Sequence, residues 1–151
     1  MDVMLRPAIA DDIELLLRFS AALYAEDGTA LFVRSRAEVG FRRLVNDESL
    51  GRVWLIEEGG RSVGYIVLTW GFSIEYEGRV GLIDELFVEP GRRSRGLGAR
   101  AIEVAEVACR ERGIGALQLE VARANTRAQA LYRRAGFVDH DRYLMTKELK
   151  G

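Results

Sequence analysis

Apolar and polar residues recur along the chain with two spacings, one every second residue and one every three to four. Val3 to Arg6 is a short strand candidate, ended by Pro7. Asp11 or Asp12 caps a helix whose apolar stripe runs Ile13, Leu16, Leu17, Ser20, Leu23 and Tyr24, and Glu26-Asp27-Gly28 ends it. A weaker helix follows from Ser35, with Ala37, Phe41, Leu44 and Val45 on one side, closed by Asn46-Asp47 and Gly51. Val53 to Glu57 and Ser62 to Trp70 are apolar runs split by Glu58-Gly59-Gly60-Arg61, a hairpin signal. Residues 71 to 78 connect to a third run, Val80 to Val88. These connections are too short for crossover helices, so the three strands form an antiparallel meander.

The second half reads differently. Leu97 to Arg112 carries apolar residues at 97, 101, 104, 105 and 108, one face of a helix, with Glu106 and Arg110 paired on the other face. Gly113 stops it. Ala116 to Val121 is a strand parallel to the 80–88 run, because a helix joins the two by a right-handed crossover. Asn125 to Ala135 is a helix ended by Gly136, and Val138 to Glu148 supplies one or two last strands. The predicted order is β-α-α-β-β-β-α-β-α-β(-β), an α/β fold with a central mixed sheet and helices on both faces.

Composition narrows the class. A chain of 151 residues with 48% hydrophobic and 30% charged residues makes one globular domain, 1–151, with a full core. A formal net charge of −1 argues against a general nucleic-acid binder. Basic charge is concentrated instead: Arg92, Arg93, Arg95 and Arg100 fall in a stretch without an acid, which suits a small polyanion. The single Cys109 excludes an internal disulfide and reads as a core residue. The start of the chain has no signal pattern and no apolar run approaches the ~18 residues of a membrane span, so a cytoplasmic protein is expected.

The chemistry centres on the loop between the 80–88 strand and the 97–112 helix. A glycine-bearing loop running into a helix start leaves main-chain N–H groups unpaired at the positive end of the helix dipole, a site for phosphate or pyrophosphate. The P-loop pattern begins at Gly91 and reaches Gly96, but Leu97 and Gly98 stand where Lys and Ser/Thr are required. The dinucleotide fingerprint is met formally by Gly96-Leu97-Gly98-Ala99-Arg100-Ala101. Its first glycine, however, should follow the strand almost directly, and seven residues, Glu89 to Arg95, intervene. A third pattern, Arg/Gln-x-x-Gly-x-Gly/Ala, is met by Arg93-Ser94-Arg95-Gly96-Leu97-Gly98.

With Leu86-Phe87-Val88-Glu89-Pro90 upstream and Asn125, Tyr132, Gly136 and Phe137 downstream, the chain resembles the GNAT superfamily of N-acetyltransferases over nearly its whole length. The resemblance implies acetyl-CoA as co-substrate, without a metal. Its pyrophosphate would bind the main chain of Arg93, Ser94, Arg95, Gly96, Leu97, Gly98 and Ala99. Its pantetheine arm would lie along Leu86, Phe87 and Val88, with Asn125 and Ala128 opposite. Asn125 also fits a helix N-cap, and one residue can serve both.

Acetyl transfer to an amine poses two proton problems. Stripping an ammonium of pKa near ~10 at neutral pH costs about 4 kcal/mol, and a nearby carboxylate can bind the ammonium and take the proton. Asp84 and Glu85 sit on the central strand; neighbouring strand residues point to opposite faces, so only one faces the acceptor unless a bulge intervenes. The resemblance favours Asp84. The leaving thiolate, with a thiol pKa near ~8.5, gains from a phenol nearby. Tyr132 stands where the family places its general acid, although 128, 131, 132 and 135 also form an apolar stripe in which a tyrosine would be core. A strand N–H near Phe87 is the expected donor to the carbonyl oxygen. His140 reads as a surface residue.

The acceptor is less defined. Glu26 and Asp27 fall where the diamine (spermidine/spermine-type) acetyltransferases place acceptor-binding residues, and with Asp84 and Glu120 they make an acidic pocket for a cationic amine. The likeness is partial, since Ile-Asp-Glu-Leu-Phe-Val replaces that subgroup's Leu-Glu-Asp-Phe-Phe-Val. Trp70, Phe72 and Tyr76 either wall that pocket or pack the meander. The acceptor is then a small amine, a lysine-like side chain or a protein N-terminus, with neither nucleic acid nor membrane as partner, and a homodimer is the family's common assembly. A non-catalytic acyl-CoA sensor shares the loop but needs neither Asp84 nor Tyr132.

Overall fold

The computed structural model describes residues 2–28 and 30–150. Its strands are β1 (Val3–Pro7), β2 (Gly51–Glu58), β3 (Arg61–Ser73), β4 (Gly78–Val88) and β5 (Leu117–Leu119). Its helices are α1 (Ile13–Asp27), α2 (Arg34–Asn46), α3 (Leu97–Glu111) and α4 (Thr126–Arg134). One sheet runs in the order β1-β2-β3-β4-β5, antiparallel except for the parallel β4–β5 pair. The expected meander and parallel pair are both present. Short 3₁₀ turns precede α1, join β3 to β4 and follow β4 at Pro90–Arg92.

The core lies in two layers because the strand residues alternate. Val53, Leu55, Tyr65, Val67 and Phe87 pack with Ile13, Leu16, Leu17, Phe19 and Phe41 of α1 and α2. Trp54, Ile56, Ile66, Leu68, Ile83 and Val88 pack on the opposite face with Leu97, Ala101, Ile102 and Ala105 of α3. Each fully buried aliphatic side chain contributes about 1.5–3 kcal/mol relative to exposure, so the two layers clamp β4 from both faces. Cys109 is in the α3 layer, as expected. Gly64 on β3 is required by closeness: a Cβ there would collide with the main-chain carbonyl of Phe87 on β4.

β4 breaks the alternation once. Val67 faces Glu85 and Leu68 faces Ile83, so Asp84 is an extra residue bulged out of the ladder. The packing records it. Ile83 and Val88, an odd number of residues apart, both face α3, which strict alternation forbids.

One expectation fails. No described residue from 138 to 150 lies in a helix or strand, so the last one or two strands of the predicted order are absent from this sheet. Val138, Tyr143, Leu144, Met145 and Leu149 are instead exposed. The alternation in that segment reads as a strand, but a strand needs a neighbouring ladder, and the segment lies against none. Among the described residues, no helix is long and apolar enough to cross a membrane.

Candidate active site

β4 and β5 pair only through Gly81–Leu117, Leu82–Gln118 and Ile83–Leu119; beyond Ile83 the two strands part. The gap opens a cavity of about 760 Å³ between the end of β4, the loop before α3, and α4. Of the residues predicted to hold the coenzyme, Leu86, Phe87, Val88, Arg93, Ser94, Gly96, Leu97, Gly98, Ala99, Asn125, Ala128 and Tyr132 all line it. Arg95 does not: its guanidinium turns away to Glu58.

The loop's local structure explains why its amides are free. Ser94 and Gly96 both take left-handed backbone, at φ 64° and 82°, and Gly96 caps α3 without a side-chain hydrogen bond. Among the described residues, no protein group accepts from the N–H groups of 94 to 99, whereas Arg100 N–H already donates to the Gly96 carbonyl. Gly98 leaves room that a Cβ would take from Leu131, 3.0 Å away. The arginines are held from behind. One oxygen of buried Glu58 accepts from Arg92 and Arg95 at 3.1 and 3.2 Å. At 94 to 99, therefore, main chain faces the cavity while the side chains of Arg92 and Arg95 are turned away.

Arg93 does reach inward. Its Nε donates to the Val88 carbonyl at 2.8 Å and its Nη2 to Glu26 at 2.6 Å, while its guanidinium lies 5.7 Å from the Phe87 ring centre. Arg127 donates to the other oxygen of Glu26 at 2.8 Å, and Asn125 Nδ2 donates to Asp27 at 3.1 Å. Asn125 Oδ1 also accepts from Ala128 N–H, so Asn125 caps α4 and lines the cavity at once. Glu26 and Asp27 thus line this groove together with Asp84, and their hydrogen bonds also tie α1 to the loop and to α4. Glu120 lines the same groove.

A second cavity of about 650 Å³ lies on the α1/α2 side, walled by Tyr24, Phe32, Phe41, Leu44 and Val67 and edged by Arg36 and Glu148. Asp84 and Glu85 line both cavities. The bulge makes this arrangement, because it lets two consecutive carboxylates share the border of the two spaces. Trp70, Phe72 and Tyr76 belong to neither: Trp70 lies under Arg112, and the other two are exposed on the far connection. His140 is exposed, as expected.

Glu85 is the more buried acid. It accepts from the Tyr65 hydroxyl at 2.7 Å and from Ser20 Oγ at 3.1 Å. Burial raises its pKa, the two hydrogen bonds oppose that rise, and the charge of Asp84 adds to it. Asp84 has no such donors, and loss of water around it raises its pKa although it stays open to the cavities. Burial, then the charge of Asp27, pushes the Tyr132 phenol up to about 12, so it carries its proton at neutral pH. Its ring packs edge-on against Phe137, 5.9 Å between centres. Ser20 and Tyr65 were not among the predicted site residues. Ser20 had left a signal, a hydroxyl within an apolar stripe; Tyr65, inside an apolar run, had left none.

Comparison with known proteins places the chain. The acetyltransferase (GNAT) family matches residues 18–137. An uncharacterized N-acetyltransferase of Bacillus subtilis, YhfO, is 32% identical over 97 residues, 64% of each chain, so the match spans about two-thirds of that relative's length. An integron cassette protein from the mobile metagenome of Cole Harbour Salt Marsh is 40% identical, with a TM-score of 0.82 over 97% of this chain and 91% of that one. A GCN5-related N-acetyltransferase from Ralstonia eutropha is 28% identical, with a TM-score of 0.78 over 99% of this chain and all of the other.

Proposed function

The chain belongs to the GNAT family of acetyl-CoA-dependent N-acetyltransferases, and from that premise we propose that it moves an acetyl group directly to a primary amine on a hydrocarbon stem. The single observation that carries this reading is the row of unpaired amides at 94 to 99, opening on the same gap as Asp84 and Tyr132. Acetyl-CoA supplies a thioester carbonyl. The residues between Arg93 and Ala99 hold its diphosphate, and Leu86 to Val88 offer strand-edge hydrogen bonds to its arm. A strand N–H near Phe87 is the donor for the carbonyl oxygen as charge develops there.

Asp84 accepts the proton of the incoming ammonium, whose loss costs about 4 kcal/mol at neutral pH. The nitrogen lone pair then forms the N–C bond as the C–S bond breaks. Tyr132 gives its proton to the departing sulfur, and no covalent enzyme intermediate is involved. Glu85 adds negative charge that holds the ammonium in place. The apolar walls contributed by Phe32, Phe41 and Leu44 fit a carbon stem, as in a small alkylamine, a polyamine or a lysine side chain. The diamine subgroup is not part of this reading, because Glu26 and Asp27 are engaged by arginines and Asn125. The family's common homodimer belongs to it.

Calorimetric titration with acetyl-CoA, followed by thiol release across a panel of primary amines, tests the proposal. Binding together with release on at least one amine is expected. Binding without release on any small amine, lysine peptide or peptide N-terminus would instead assign an acyl-CoA sensor.

A further inference from the structure

Along β2 the residues that face α3 are Trp54 and Ile56, and the next place in that row falls on Glu58. The alternation asks for an apolar side chain there; the chain supplies a carboxylate that is only 4% exposed. A buried ion pair stabilises a fold no better than well-packed aliphatic groups of similar volume, so stability alone does not account for it. Its partners do. Oε1 accepts from Arg92 Nη1 at 3.1 Å and from Arg95 Nη1 at 3.2 Å. The two arginines stand on either side of Ser94, whose backbone is left-handed at φ 64°. A residue with a Cβ holds that conformation only where its surroundings impose it. The β2–β3 hairpin also carries the base of the loop: Arg61 reaches Glu89 at 3.1 Å, and Glu89 N–H donates to the Val63 carbonyl at 2.8 Å.

We propose that Glu58 is the positioning residue of the 93–99 loop, setting the direction of its amides before the coenzyme arrives. One carboxylate oxygen ties the residues flanking Ser94 to the end of β2, so the turn at Ser94 and the left-handed Gly96 keep one shape. Ser94, Gly96, Leu97, Gly98 and Ala99 line the cavity, whereas Glu58, Arg92 and Arg95 do not. Glu58 therefore acts through the loop and not by touching the ligand. A loop already in shape spares the ligand the free energy of ordering it. The role rests on the acetyltransferase reading of the site, and it carries a sign. If Glu58 merely neutralised the arginines, removing its charge would free two guanidiniums to attract the diphosphate, and binding would tighten. Loss of a positioning residue weakens it.

The test uses the full chain and acetyl-CoA itself. Glu58→Gln keeps the shape and removes the charge, so the dissociation constant for acetyl-CoA, read by calorimetry, should rise about tenfold. At saturating acetyl-CoA, kcat should change less than about twofold. In the coenzyme-free chain, amide exchange should quicken at Arg92 and Arg100, whose N–H groups are bonded to Glu89 and Gly96, and stay at the parent rate along β4. Tighter binding, unchanged binding, a kcat that falls in step with affinity, or exchange that quickens throughout the chain would each overturn the proposal. A second arm avoids the buried position. Arg95→Gln and Arg100→Gln each remove one charge near the start of α3 from a side chain about half exposed, but of the two only Arg95 is bonded to Glu58. Arg95→Gln should weaken acetyl-CoA binding at least about threefold more than Arg100→Gln does; equal losses would leave only the general field of the arginines and overturn the role. A parent chain that binds no acetyl-CoA would sink the reading of the site and this role with it, whereas equal binding by the parent and the Glu58→Gln chain would sink the role alone.

Discussion

On one face of the β4 gap the cavity wall is main chain; on the other it is side chains drawn from α1, α2, β3 and β4. The coenzyme-side wall comes from one continuous stretch, in which two left-handed residues and a helix start turn consecutive amides the same way. Its charged side chains are paired with one another, as in Glu58 with Arg92 and Arg95, or Glu26 with Arg93 and Arg127. The wall proposed for the acceptor brings together Ser20, Tyr65, Glu85 and Asp84, with the hydrogen-bonded Ser20 and Glu85 standing 65 positions apart in the chain. Its acids keep charge in reserve. A diphosphate has one shape, so a fixed backbone cradle suits it. Amines differ in length and bulk, so the wall proposed to meet them is suitably built of side chains that can be exchanged one by one.

Breaking the acceptor side should cost most. Asp84→Asn keeps the shape and removes the base, so kcat/KM for the best amine should fall about 10²–10⁴-fold, read by initial rates. Tyr132→Phe removes only the proton donor; kcat should drop about 10²-fold while acetyl-CoA affinity, followed by calorimetry, changes less than about twofold. Equal turnover in that variant would take Tyr132 out of the mechanism and return it to the core. On the coenzyme side, Gly96→Ala forces a Cβ onto a left-handed residue at φ 82°. That costs about 1–2 kcal/mol, and acetyl-CoA affinity should weaken about tenfold with kcat at saturation little altered.

The smallest effect sharpens the contrast through stability. Burial raises the pKa of Asp84, so the native chain holds that proton more tightly than the unfolded chain does. Stability therefore falls as pH rises from the ordinary carboxylate range through the raised value, and ionised Asp84 is a burden at neutral pH. Asp84→Asn should melt slightly higher than the parent near neutrality, and the advantage should vanish at about pH 3, where both forms are uncharged. An unchanged melting profile would mean that Asp84 is as well hydrated in the folded chain as in the unfolded one.

Much of this was legible in the residues, and the reason is local. The meander, the parallel pair and the cradle arise from period-two runs, a crossover helix and Gly96-Leu97-Gly98, each of which acts over a few neighbours. That the residues proposed for the coenzyme share one groove was readable in that way, apart from the direction of Arg95, whose partner Glu58 is 37 positions away. Glu26 and Asp27 do line the groove with Asp84 and Glu120, but their partners were not legible: Arg93 and Arg127 on Glu26 and Asn125 on Asp27 come from the loop and from the start of α4. The bulge was foreseen only as a condition on Asp84 and Glu85, since nothing in Ile83-Asp84-Glu85-Leu86 marks an unpaired residue until β3 lies beside it. The missing last strands show the converse. Alternation states what a segment is able to do, while a ladder partner decides whether it does so.

The extra residue at position 84 makes the length of β4 a property in its own right. Deleting Asp84 would restore perfect pleating and leave both halves of the strand facing as they do now, with Ile83 and Val88 an even number of residues apart on the α3 face and Phe87 on the other. Both cores would therefore tolerate the shorter strand, and the loss would fall on the carboxylate that borders the two cavities.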